Sequence, residues 1–287
     1  MTFSIVAHDP KKKEWGVAVQ SKFISVGSIV PFARANIGAI ATQAYANTHY
    51  GPKGLALLEQ GFSAEETIDI LTKDDDGREH RQLGVVDKQG RSASFTGKEC
   101  YSWAGHIVGE NYTCQGNILA SGDVVKAMSQ AFEDTSGDLI ERLLAVLDAG
   151  QSKGGDKRGQ QSAAILIVKE QGAYDGGTDR YIDVRVDDHL EPIQEIHRIF
   201  TLYDLSLLTR DAPDDKVKLE GTVMKTIKEV LSLDGFYDGE INDVYDDKTK
   251  DSLTKWLHVN NFEVKDRQDD YMWGSLYRYI QDFVKKE

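Results

Sequence analysis

Residues Thr2–Gln20 read TFSIVAHDPKKKEWGVAVQ, and the architecture turns on how this stretch pairs with itself and with later strands. Thr2–Ala7 and Gly16–Gln20 are short β-prone runs, and the charged His8–Trp15 connection folds one back on the other as in a hairpin. A third strand is expected at Gly38–Ala44 (GAIATQA), whose small residues suit close packing between two layers. Gly54–Gly61 and Ser63–Leu71 read as helices, the second opened by a capping box of Ser63 with Glu66. Gln82–Val86 and Ser92–Thr96 form a further hairpin across Asp87–Arg91. Cys114–Leu119 reads as a strand, then Asp123–Glu133 and Leu139–Ala149 as amphipathic helices. Strands return at Ser162–Val168 and Tyr181–Val186, and a helix from about Pro192 carries Ile193, Ile196, His197 and Phe200 on one stripe.

Strands, helices, strands and helices in that order favour antiparallel sheets with helices grouped outside them over a doubly wound parallel sheet. The expected class is α+β. A four-layer α–β–β–α sandwich satisfies the order, and so do other α+β folds.

Arg210–Asp215 (RDAPDD) has the composition of a linker. The expected division is 1–210, a linker at 211–218, and a small all-α domain of three helices at 219–287. Val223, Ile227, Val230 and Leu231 stripe its first helix, Leu253, Trp256 and Leu257 its second, and Met272, Leu276, Ile280 and Phe283 its third.

The chain has 287 residues and a formal net charge of −13, which argues against nucleic acid or an anionic membrane as partner. No apolar run reaches membrane-spanning length, and the N-terminal residues do not form a secretory h-region. The expected compartment is the cytoplasm, in keeping with two cysteines, Cys100 and Cys114, read as ordinary thiols. No motif for dinucleotide, P-loop, nucleophile-elbow or HExxH chemistry is present. Asp234–Tyr245 imitates a calcium loop but offers Phe236 and Tyr245 where oxygen ligands belong. No metal or cofactor is therefore expected.

The chemistry that remains begins at Thr2. Removal of Met1 would give it a free α-amine beside its hydroxyl, and one residue would then hold both nucleophile and base. Three clusters place amides, hydroxyls or glycine N–H groups where strands meet loops: Thr42–Asn47 (TQAYAN), Cys114–Asn117 (CQGN) and Gly154–Ser162 (GGDKRGQQS). Such groups can hold an amide substrate or a tetrahedral oxyanion; they equally serve ordinary turn chemistry.

MTFSIVAHDP, GVAVQSKF, GAIATQAYAN, YGPKGLALL, REHRQLGVVD, CQGNILAS, GGDKRGQQSAAILIV and YIDVRVDDH together resemble a family of largely uncharacterised microbial proteins placed in the N-terminal-nucleophile (Ntn) hydrolase-like superfamily. The resemblance runs from about residue 1 to 200 and implies the αββα sandwich, with Thr2 as catalytic nucleophile. It matches Lys22, just after the second strand, to the charged residue that superfamily members commonly carry near the nucleophile. Asn47, Gln115 and Asn117 are the candidates for substrate or oxyanion binding. From about Glu220 to Phe283 the chain resembles a peptidoglycan-binding module, through Gly235–Gly239 (GFYDG) and Thr249–Leu253 (TKDSL), with Asn242-Asp243 where a second glycine is usual. The resemblance implies a glycan or peptide ligand; without an export signal, the module is expected to bind something else or to pack against its own enzyme domain.

The expected function is hydrolysis of a small amide or peptide-like bond through an acyl-enzyme on Thr2. The alternative is a non-catalytic small-molecule, glycan or peptide-binding protein on the same fold. Assembly as a homo-oligomer stays open.

Overall fold

The computed structural model describes residues 2–284. The chain forms two compact units, Met1–Arg198 and Ile199–Glu287.

In the first unit β1 (Thr2–Asp9) and β2 (Glu14–Ser21) form the central hairpin. Asp9 makes the turn: its Oδ1 accepts the N–H groups of Lys11 and Lys12 at 2.8 and 3.1 Å. After β3 (Pro31–Arg34) and β4 (Gly38–Ala44) come α1 (Tyr50–Glu59) and α2 (Ala64–Lys73). β5 (Arg81–Asp87), β6 (Ser92–Thr96), β7 (Gly105–Gly109) and β8 (Tyr112–Asn117) follow, then α3 (Asp123–Asp134) and α4 (Leu139–Ser152). β9 (Ser162–Val168) and β10 (Arg180–Val186) complete the strands, and α5 (Pro192–Leu207) follows, its residues from Ile199 onward belonging to the second unit.

The strands form two antiparallel sheets, one in the order β10-β9-β2-β1-β8-β7 and the other β3-β4-β5-β6. Successive side chains of β1 point to opposite faces, as the pleat requires. Phe3 reaches α4, where a Cβ on Gly150 would lie 3.0 Å from its ring. Ser4 points the other way and donates to Gln43 Oε1 of β4 at 2.6 Å. Val6, Val17 and Val19 meet Ala39, Ala41 and Val86 in an apolar core between the sheets. Each fully buried valine there contributes about 1.5–3 kcal/mol.

Two glycines set how closely layers approach. A Cβ on Gly16 would come within 2.9 Å of Leu143, so β2 lies tight against α4. A Cβ on Gly84 would fall 2.3 Å from Gln115 Oε1, so β5 leaves the space that this buried carboxamide fills.

Several elements differ from expectation. β3 and β7 had no clear sequence signal, and α1 starts at Tyr50 rather than Gly54. β8 stops at Asn117, not Leu119, because Ile118 turns into left-handed backbone at φ 52°. The capping box of Ser63 and Glu66 is present.

The second unit has α6 (Gly221–Leu233), α7 (Asp247–Val259) and α8 (Gly274–Val284). Met224, Ile227, Leu253, Trp256, Leu276 and Ile280 share one core with Leu205 from the end of α5. The all-α description needs correction: β11 (Lys216–Lys218) pairs antiparallel with β12 (Tyr271–Trp273). Part of the expected 211–218 linker is therefore sheet. Asp211 further holds the ammonium of Lys265, and Asp215 accepts two bonds from Arg278 at 2.9 and 2.7 Å. Two of the three acidic residues that made this stretch look like solvated linker, Asp211 and Asp215, are paired to side chains of the same unit, and Asp214 is exposed.

Candidate active site

Thr2 opens β1 and is 5 % exposed. On one side its Oγ1 lies 3.1 Å from Ser21 Oγ of β2, and either hydroxyl can donate. On the other side it is the register partner of Asn117 in β8. It borders a pocket of about 340 Å³ with Phe23, Val26, Val30, Tyr45 and Arg81.

Behind Thr2 the two sheets are joined by neutral polar side chains. Gln82 Oε1 accepts from Gln43 Nε2 and from Asn117 Nδ2, both at 2.8 Å. Gln82 Nε2 donates to Thr96 Oγ1 at 2.9 Å and to the Gly116 carbonyl at 2.8 Å, which fixes the carboxamide's orientation. Gln115 Nε2 donates to Ser4 Oγ at 2.6 Å. Buried amides with their bonds made rigidify a site, whereas each broken bond would strand a desolvated group. At the edge of this shell His106 Nδ1 lies 2.9 Å from Thr96 Oγ1, and burial lowers the imidazole pKa.

Two carboxylates hold the surrounding loops. Asp156, with a side chain fully buried, accepts the Lys22 N–H at 2.9 Å and the Arg158 N–H at 3.0 Å. It also takes Arg158 Nε and Nη2 at 3.3 and 3.1 Å. Asp75 accepts Arg81 Nε at 2.9 Å and the Tyr50 hydroxyl at 2.5 Å. The Arg81 guanidinium, with help from that hydroxyl, holds the Asp75 carboxyl well below the usual carboxylate range. Burial and the Asp75 charge push the Tyr50 hydroxyl up in turn. Arg81 Nη1 donates to the Tyr45 carbonyl at 2.5 Å, so Asp75 braces the chain beside the pocket.

The backbone is forced here. Ala44 at φ 68° and Ile118 at φ 52° carry a Cβ in the left-handed region, and Ile118 is β-branched as well. Such conformations persist where the surroundings over-determine them, and they cluster at functional sites.

The residues singled out in the sequence occupy different layers. Asn117 faces Thr2, while Gln115 is fully enclosed in the amide shell. Asn47 gives its Nδ2 to Asp75 at 3.4 Å and its carbonyl to the Thr42 hydroxyl at 3.3 Å. Lys22 places its ammonium on the Gln160 carbonyl at 3.1 Å. Ser21, Gln43, Tyr45, Gln82, Asp156 and Arg158 were not singled out. Gln43, Tyr45, Asp156 and Arg158 lie inside the polar clusters recognised in the sequence; Ser21 and Gln82 had no local signal. The removal of Met1 concerns a residue outside the described ones.

Among the described residues no group of three or more His, Cys, Asp or Glu side chains could hold a metal ion. In the calcium-like stretch Asp234 accepts Trp256 Nε1 at 2.7 Å and Asp238 pairs with Lys248. Cys100 and Cys114 are free thiols. Among the described residues no helix is long and apolar enough to cross a membrane. The second unit has its own pocket of about 590 Å³, bordered by Asp211, Asp266, Arg267, Asp269 and Trp273.

A family model described as "Family of unknown function (DUF1028)" matches residues 2–196. The chain belongs to the DUF1028 family. Protein SPO2555 from Silicibacter pomeroyi, a solved DUF1028 structure, matches with 31 % identity and a TM-score of 0.65, over 71 % of this chain and 86 % of that one. A second model, "Putative peptidoglycan binding domain", matches residues 207–280, so this DUF1028 protein carries a further module after the family region. Anbu (ancestral beta-subunit) from Yersinia bercovieri is matched at 11 % identity and a TM-score of 0.33, over 70 % of this chain and 93 % of that one, too remote to carry an argument. No curated protein matches significantly.

Proposed function

We propose that the DUF1028 unit is an Ntn-hydrolase-like αββα sandwich that hydrolyses a small amide or peptide-like bond through Thr2. The observation that carries this reading is the place of Thr2: at the start of β1, on the wall of a pocket, with Ser21 beside its hydroxyl and Asn117 opposite. With Met1 removed, its α-amine has an ordinary pKa of about 7.7–8.0, so a neutral fraction exists near pH 7.

In the proposed cycle the neutral amine takes the Thr2 hydroxyl proton, directly or through Ser21, as Oγ1 attacks the amide carbon. An Asn117 N–H not used by Gln82 stabilises the oxyanion. Collapse breaks the C–N bond, the leaving amine takes the proton from the Thr2 ammonium, and an ester remains on Oγ1. Water then attacks the ester, giving its proton to the amine; the C–O bond breaks and Oγ1 regains a proton. The products are a carboxylic acid and an amine. Lys22, through its charge, would tune the amine's pKa from outside this set.

For the second unit we propose a glycan or peptide ligand, on the strength of its family match. The free thiols fit a reducing compartment, and the cytoplasm is the proposed location.

The test compares Met-free with Met-bearing protein on a panel of N-acyl amino acids and short peptides. Turnover by the Met-free form alone, lost in Thr2→Ala and kept in part by Thr2→Ser, is the expected result. Equal turnover by both forms would remove Thr2 as the N-terminal base. Binding without turnover, measured by calorimetry on Met-free protein, would favour the non-catalytic alternative.

A further inference from the structure

Two pockets meet at the Thr2–Asn117 pair. The first, about 340 Å³, borders Thr2 and is walled by the aliphatic side chains of Val26, Ile29 and Val30. The second, about 260 Å³, borders Asn117 and is walled by Tyr101, His80, Glu99 and Arg158. Ala44 and Tyr45 border both, so one short, conformationally forced segment stands between them. A bond held at Thr2 would therefore have a different chemical surface on each side.

The two guanidinium groups are not equivalent. Arg81, in the first pocket, gives Nε to Asp75 and Nη1 to the Tyr45 carbonyl. Arg158, in the second, gives Nε and Nη2 to the buried Asp156, which aims the group and leaves Nη1 without a protein partner among the described residues. An arginine oriented by a buried anion is preorganised for a carboxylate, since its planar fork loses little freedom on binding. Glu99 in the same pocket complements the N–H side of an amino acid, and the rings of Tyr45, Tyr101 and His80 suit an aromatic side chain.

We propose that the two pockets are subsites for the two halves of one N-acyl-α-amino acid: an aliphatic acyl chain against Val26 and Val30, and the amino acid's carboxylate on Arg158. This rests on the reading of Thr2 as nucleophile, and it adds the substrate class. The acyl carbon is then presented between Thr2 and Asn117, and hydrolysis releases a small aliphatic acid from the first pocket and a free amino acid from the second.

Binding is measured by calorimetry on Met-free Thr2→Ala protein, which cannot consume its ligand. The probes are N-isovaleryl-L-phenylalanine, its primary amide and N-acetyl-L-phenylalanine. The acid should bind at least about tenfold more tightly than the amide, a preference that charge-assisted pairing readily supplies. Adding Arg158→Gln should abolish that preference, and Arg158→Lys should keep part of it. Adding Val30→Phe should weaken the isovaleryl compound more than the acetyl one. Circular dichroism checks that each variant is folded. Equal affinity for acid and amide, or no binding of any probe at millimolar concentration, would overturn the subsites. The same probes are given to Met-free wild-type protein. Acid-selective binding without hydrolysis supports the subsites and overturns Thr2 as nucleophile; hydrolysis without acid preference does the reverse.

Discussion

Asn117 stands opposite Thr2 across the pairing of β1 with β8, and its amide nitrogen rests on Gln82 Oε1 at 2.8 Å. If its remaining N–H serves the oxyanion, Asn117→Ala should lower kcat by about 10²–10³-fold while KM changes far less. Steady-state kinetics on the best panel substrate gives the split. A change confined to KM would make Asn117 a ground-state contact.

Gly84 leaves the space that the Gln115 carboxamide occupies. Gly84→Ala should destabilise the first unit by about 1–3 kcal/mol, the usual cost of forcing extra volume into a packed interior. Urea unfolding of the variant checks this. A stability equal to wild type would mean that Gln115 can move aside without loss.

Asp75 is held below the usual carboxylate range by Arg81 and Tyr50. Its folded pKa lies below the unfolded value of about 3.9, so its bonds contribute fully above that value and fade as pH falls through the folded one. Asp75→Asn should therefore lower Tm at neutral pH, with the gap to wild type closing in strong acid. Scanning calorimetry across the acid range reads both; a gap independent of pH would point to packing instead of charge.

In the second unit the buried Lys265 ammonium pairs with Asp211 at 2.5 Å and donates to the Leu208 carbonyl at 2.8 Å. Removing the anion strands a desolvated charge, so Asp211→Ala should cost about 3–5 kcal/mol. Adding Lys265→Met should recover most of that loss. Hydrogen exchange in α6 and α8 of the full chain reports it, and unchanged protection in Asp211→Ala would show that the ammonium finds another partner.

Much of the first unit was legible because its strands are apolar runs whose pairing partners lie nearby, as in β1 with β2 and β5 with β6. β3 and β7 were not: the first is four residues of half-buried edge, the second a short run between glycines. The second unit's strand pair was hidden for another reason. β11 is only Lys-Val-Lys, and its partner lies beyond two helices. At the candidate site the polar clusters could be recognised, but not which member of each meets Thr2. Gln82 shows why: its bond to Asn117 spans 35 residues, and nothing local marks a glutamine on a buried strand as a bridge between sheets.

The neutrality of that bridge has a consequence for acid–base titration. Ser4, Gln43, Gln82, Gln115 and Asn117 carry no proton that comes or goes between pH 5 and 9, and His106 at their margin is shifted toward its neutral form. Those five side chains therefore keep one charge state across that span. In Met-free protein the rate should rise with pH through a single ionisation, that of the α-amine, near 8 by its ordinary value of about 7.7–8.0. Such a curve would act as an inbuilt gauge of the amine: Lys22→Met should displace it along the pH axis and leave its shape alone.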